Sequence, residues 1–188
     1  MIIFLIGSHC TGKTTFANKL KENGFKVVDE VIRSLPTIKI NEEGNAESQQ
    51  IIFDAIWDIA FRDRVCKKQQ KCFRKCRSSN KCDLVVDRGL VDVVAYTRWL
   101  LYNATDNVAE TALRQELDRE ENMLRLSLRE FHDTFILFDH LYPLVNDGLR
   151  SMNPKYQEEI KDIIHDVIRE FHIPYIRSVD VRLKLQGE

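Results

Sequence analysis

Gly7-Ser8-His9-Cys10-Thr11-Gly12-Lys13-Thr14 sets two glycines around four residues and follows the second with a lysine and a threonine. Glycine at both ends permits backbone angles and a closeness of approach that a side chain would forbid. The loop amides then present partial positive charge to phosphate oxygens, Lys13 reaches the outer phosphates, and the Thr14 hydroxyl ligates Mg2+. On this reading Gly7, Thr11, Gly12, Lys13, Thr14 and Thr15 form a cradle for ATP or GTP. His9 and Cys10 would suit a histidine base or a redox-sensitive thiol. The pattern instead predicts filler, pointing out of the cradle or packing beneath it.

Three further stretches hold charges at spacings that suit phosphate chemistry. In Val85–Tyr96, Asp87 is placed to hold the water shell of Mg2+, and Arg88 to clamp a phosphate or substrate oxygen. Asp92 is placed either to accept a hydrogen bond from a sugar hydroxyl or to serve as a helix N-terminal carboxylate favoured by the macrodipole. In Asp29-Glu30-Val31-Ile32-Arg33, Glu30 suits a base that takes the proton of an attacking hydroxyl, with Arg33 beside it at the acceptor. In Asn146-Asp147-Gly148-Leu149-Arg150, Gly148 is a joint and Arg150 would neutralise charge on a phosphoryl group in transfer. Residues 140–155 read as a lid-like segment.

These residues need elements to hold them. Ile2–Ile6 is a short, uniformly apolar run, as expected of a central strand covered on both faces. Thr14–Asn23 reads as a helix closed by Gly24, and Phe25–Asp29 as a second strand. A helical pattern runs from Ala46 to about Cys76, with Ile52, Ala55, Ile56, Ile59 and Ala60 on one stripe. Leu84–Asp87 is a third strand, Leu90–Tyr102 and Val108–Phe131 are helices, and Thr134–Asp139 is a fourth strand. The helix Pro154–Phe171 leads to a fifth strand over Pro174–Val179. Alternation at this spacing predicts an α/β domain with a mainly parallel sheet, whose ligands bind beyond the carboxyl ends of the strands. That rule gathers the glycine loop, Glu30, Asp87 and Asp139 at one edge. With no linker or repeat in view, residues 1–188 are expected to form one domain.

In order along the chain, GSHCTGKT, EVIR, DRGLVD and DGLR resemble the pattern of the AAA-domain family of P-loop proteins that includes the nicotinamide riboside kinase domain of NadR-type proteins. The resemblance spans almost the whole chain, and DRGLVDVVAY and DGLR are its most specific parts. It implies a nucleoside-kinase-like, three-layer α/β/α fold with a five-stranded sheet in the order 2-3-1-4-5. It further implies ATP or GTP and magnesium, and leaves the phosphate acceptor open.

Cys66, Cys72, Cys76 and Cys82 stand outside the family pattern. Structural zinc, disulfides and unpaired thiols all remain open for them. Lys67, Lys68, Lys71, Arg74, Lys75, Arg77 and Lys81 lie among them, making residues 62–82 a basic, cysteine-containing segment. It reads first as a solvated helix end, with a polyanion such as a nucleic-acid strand as the other reading.

The bulk composition excludes little else. Twenty-eight basic against 29 acidic residues give a net charge of -1, so no global charge selects nucleic acid or a membrane surface. No apolar run approaches the roughly 18–20 residues that span a bilayer. The first strand is too short for a signal-peptide core, and a cytoplasmic protein is expected. The function expected is transfer of a γ-phosphate to a hydroxyl or phosphate of a small nucleoside-like or nucleotide-like acceptor. A polynucleotide 5′-kinase using residues 67–81 and a nucleotide-dependent switch are the alternatives.

Overall fold

The structure, a computed structural model, describes residues 2–29, 46–57, 84–144 and 152–181. Strand β1 (Ile2–Ile6) leads through the glycine loop into helix α1 (Lys13–Glu22) and strand β2 (Lys26–Val28). Helix α2 (Ala46–Trp57), strand β3 (Leu84–Asp87), and helices α3 (Leu90–Tyr102) and α4 (Asn107–Glu130) follow. Strand β4 (Thr134–Leu137), helix α5 (Pro154–Glu170), strand β5 (Tyr175–Arg177) and a 3-10 turn (Ser178–Asp180) complete the described chain.

The five strands form one sheet in the order β2-β3-β1-β4-β5, as the family resemblance implies. Every pairing is parallel, with Leu5 opposite Asp87 and Ile6 opposite Leu137. Parallel pairing brings the carboxyl ends of all five strands to one edge. The mainly parallel sheet expected from the sequence is therefore wholly parallel.

Side chains that alternate along β1 feed two cores. Ile2, Phe4 and Ile6 join Val86, Leu137 and the helices α2, α3, α4 and α5 on one face. Leu5 joins Val85, Ile136, Phe138 and the α1 residues Ala17 and Leu20 on the other. Helix α5 shows why this layering forms: Tyr156, Ile160, Ile164, Val167 and Ile168 fall on one stripe and are all buried. Each such side chain contributes about 1.5–3 kcal/mol when fully buried. Helix α3 is covered almost all round, and Val91, Val94 and Ala95 have no exposed surface.

Several boundaries differ from the sequence reading by small amounts. Strand β4 ends at Leu137 rather than Asp139, with the Phe138 N–H still donating to the Ile6 carbonyl of β1 at 2.8 Å. Strand β5 is only Tyr175–Arg177, and the chain turns at Ser178. The helical stretch expected to run on to Cys76 is described only as Ala46–Trp57. Glu30, Arg33, Arg150, the 62–82 segment with Cys66, Cys72, Cys76 and Cys82, and residues 145–151 of the lid-like segment lie outside the described residues.

Candidate functional site

The glycine loop is wound by three backbone conformations that side chains resist. Gly7 has φ 148°, Gly12 has φ 90°, and Cys10 takes the left-handed region at φ 53°. Gly7 is additionally fixed by space, since a Cβ there would stand 2.3 Å from the Phe138 carbonyl oxygen. Gly12 opens α1 without a side-chain cap, so the helix N-terminus faces the loop.

The loop's polar groups are wired to residues from distant parts of the chain. Gly7 N–H donates to Asp92 Oδ1 at 3.0 Å, and Gly89 N–H donates to the other oxygen of the same carboxylate at 2.9 Å. Asp92 thus ties the loop to the turn that starts α3, and it is 1% exposed. Burial pushes its carboxyl up, against the opposing pull of Lys13, Arg88 and the two amides. Lys13 is buried, with Nζ donating to the Gly7 and Ser8 carbonyls at 2.6 Å each. Thr11 is also buried and donates to the Ser8 carbonyl at 2.9 Å.

At the cradle's mouth the Thr14 hydroxyl donates to Asp87 Oδ2 at 2.8 Å. Strand β3 delivers Asp87 there because its parallel register with β1 sets the two strand ends side by side. Arg88 follows with φ 83°, unusual for a residue with a side chain. Its N–H is held by the Leu5 carbonyl at 3.1 Å, and its guanidinium lies over the Tyr96 ring at 5.1 Å. Such a conformation persists where the surroundings over-determine it, and these contacts do so.

Cys10–Phe16, Lys19, Asp87, Arg88, Phe138, His140, Tyr142, Pro143, Ser178 and Val179 line one cavity of about 880 Å³. Its size suits a nucleotide-sized ligand. The charge complement fits a polyphosphate with its metal: loop amides at a helix start, Lys13 and Arg88 for the anion, and the Thr14–Asp87 oxygen pair for Mg2+.

The described residues expected at the cradle therefore meet. Gly12, Lys13, Thr14, Thr15, Thr11, Asp87 and Arg88 share the cavity, and Gly7 closes the loop beneath it. Of the two filler residues, His9 packs beneath, 2% exposed and against the Tyr156 ring at 5.4 Å. Cys10 instead faces the cavity. Asp139, two residues beyond β4, faces Arg177 at 3.7 Å.

Two residues escaped the sequence reading. Tyr142 N–H donates to the Cys10 carbonyl at 3.0 Å, and its ring passes close to Gly12. Gln157, 4% exposed, donates to the carbonyls of His9 at 2.8 Å and Tyr142 at 3.4 Å. Gln157 lies three residues before Ile160 and seven before Ile164, hence on the apolar face of α5. A polar residue in that register was the available signal.

A family model described as an AAA domain matches residues 2–182. No curated protein sequence matches the chain. Among solved structures, a NadR protein in complex with NR is similar over 100% of this chain, at 14% identity and a TM-score of 0.60. This chain spans only 47% of that NadR chain. A deoxyadenosine kinase from M. mycoides with bound dATP is similar over 99% of this chain and 94% of its own length, at 17% identity and a TM-score of 0.57. The same kinase with bound dCTP gives 98% and 93%, at 16% identity and a TM-score of 0.58. At these identities the likeness is one of fold, and the fold is that of P-loop kinases.

Proposed function

The chain belongs to the AAA-domain family, and on that premise we propose that it is a P-loop kinase. It moves the γ-phosphate of ATP or GTP to a hydroxyl or phosphate of a small nucleoside-like or nucleotide-like acceptor. The observation that carries this reading is the 2.8 Å contact between the Thr14 hydroxyl and the Asp87 carboxylate, at the mouth of a cradle that already holds Lys13. Thr14 and Asp87 would hold Mg2+, which when bound neutralises charge along the phosphate chain.

The chain's own residues position and neutralise. The loop amides and Lys13 grip the donor phosphates, and Arg88 draws the acceptor-side oxygen toward the γ-phosphorus. Glu30 takes the proton of the attacking hydroxyl as the new P–O bond forms and the bond to the β-phosphate oxygen breaks. Arg33 belongs to the acceptor side and Arg150 covers the transferring group, while Asp92, with both oxygens held by the Gly7 and Gly89 amides, serves the loop rather than the acceptor. The known relatives in fold support a small acceptor, since the NadR protein was solved with NR and the deoxyadenosine kinase with dATP and dCTP. Among the described residues no helix is long and apolar enough to cross a membrane.

A screen of nucleosides, nucleotides and nicotinamide riboside, each with Mg-ATP and Mg-GTP, tests the proposal by thermal shift and then by turnover. One acceptor should be phosphorylated, and Glu30→Gln should lower transfer by about 10²-fold or more while nucleotide binding stays nearly intact. Slow hydrolysis with every acceptor would overturn the kinase reading in favour of a nucleotide-dependent switch.

A further inference from the structure

A phosphate cradle works only if its N–H groups face the ligand, and in a trans peptide the N–H points opposite to the preceding C=O. Whatever holds a loop carbonyl away from the cavity therefore aims the next amide into it. The carbonyls of the loop are held in succession. Lys13 Nζ engages those of Gly7 and Ser8 and Tyr142 N–H that of Cys10, both from residues that line the cavity, whereas Gln157 Nε2 engages that of His9 from outside it.

We infer that Gln157 is a positioning residue for phosphate binding, which sets the His9–Cys10 peptide plane so that the Cys10 N–H faces the cavity. The inference rests on the kinase reading only in that it requires the cradle to bind phosphate. Three observations support it. Cys10 and Thr11 line the cavity while Gln157 does not, so the donor pulls from the opposite side. Cys10 sits at φ 53°, a conformation a cysteine keeps only under outside constraint. Finally, the same amide nitrogen reaches the Tyr142 carbonyl, stitching the segment after β4 to the loop through a second link. Helix α5 is anchored where this happens: Asn153 caps it by accepting from Lys155 N–H at 3.0 Å, Pro154 opens it, and Tyr156 beside Gln157 packs on Trp99 at 4.5 Å.

The test measures affinity for Mg-ATP, Mg-GTP and magnesium tripolyphosphate by calorimetry, alongside melting temperature. Tripolyphosphate touches the cradle alone. Gln157→Met and Gln157→Glu both remove the donor while roughly keeping the shape. Each should weaken every ligand that the wild type binds by about tenfold, and by the same factor for Mg-ATP and tripolyphosphate. Gln157→His returns a ring N–H at similar reach and should recover binding to within about threefold of wild type. A merely structural helix contact would lower the melting temperature and leave the affinity of the folded protein unchanged. A folded donor-less variant that binds within twofold of wild type overturns the inference. Should Gln157→Met fail to fold, Gln157→Glu decides alone. Wild-type protein that binds none of the three ligands overturns the phosphate-cradle reading itself, and the inference with it.

Discussion

Asp92 shows how one residue can carry two readings until its surroundings are known. Its place in the first turn of a helix suited either a sugar hydroxyl or a helix N-terminus. Both of its oxygens accept from backbone amides, one on the glycine loop and one on the turn before α3. Asp92→Asn replaces one acceptor with an NH2 that faces an N–H. Urea unfolding should report a loss of about 1–3 kcal/mol. Gly7 makes a second prediction of the same kind. Gly7→Ala would drive a Cβ into the Phe138 carbonyl at a φ of 148°, and the loss of stability should reach at least about 2 kcal/mol in the same assay.

At the scale of elements, α3, α4 and α5 are joined by polar groups as well as by apolar packing. Arg98 on α3 bonds Glu121 on α4 and Glu170 on α5, the latter at 2.7 Å, while its guanidinium lies near the Phe171 ring. Glu120 on α4 is different: fully buried, it accepts from the Thr97 hydroxyl of α3 at 3.0 Å. Its second oxygen has no hydrogen-bond partner among the described residues. Burial pushes its carboxyl up to about 8, with the negative charges of Glu116 and Glu121 adding to the rise and Thr97 and Arg119 opposing it. The native state then keeps a proton that the unfolded chain releases near 4.5. Stability from this group is therefore present at low pH and is lost as pH rises toward about 8, at up to about 1.4 kcal/mol per pH unit. Glu120→Gln should remove that slope and raise stability most at the alkaline end. Urea unfolding at a series of pH values checks both.

For the whole molecule, the parallel sheet is what turns separate motifs into one site. The strand ends of β1 and β3 deliver the loop and Asp87 to the same edge, and the segment after β4 closes over Gly12. A ligand that binds only this assembled edge stabilises the fold by mass action. At a hundredfold excess over its Kd, Mg-ATP or Mg-GTP should add about 2.7 kcal/mol, or roughly 5–10 °C in melting temperature for a chain of this size. Lys13→Ala should abolish that shift while leaving the unliganded protein folded, read by the same melting curves with and without nucleotide.

Much of this was legible along the chain because it depends on local pattern. The apolar run Ile2–Ile6, the glycines around the loop and the Lys13-Thr14 pair needed no distant partner to be recognised. The placing of Asp87 at the cradle followed from the rule that parallel strands gather ligands at their carboxyl ends. Gln157 and Tyr142 were beyond such reading, since their roles lie in contacts with the loop 148 residues away for Gln157 and through a backbone amide for Tyr142. An N–H has no residue-specific signature, and a glutamine in an amphipathic helix is usually solvated. The role of Asp92 was likewise decided only when folding brought Gly7 and Gly89 to its two oxygens. Local sequence determines which groups are able to grip a phosphate; the tertiary structure decides which way their peptide planes face, because that orientation is imposed by donors and acceptors far off along the chain.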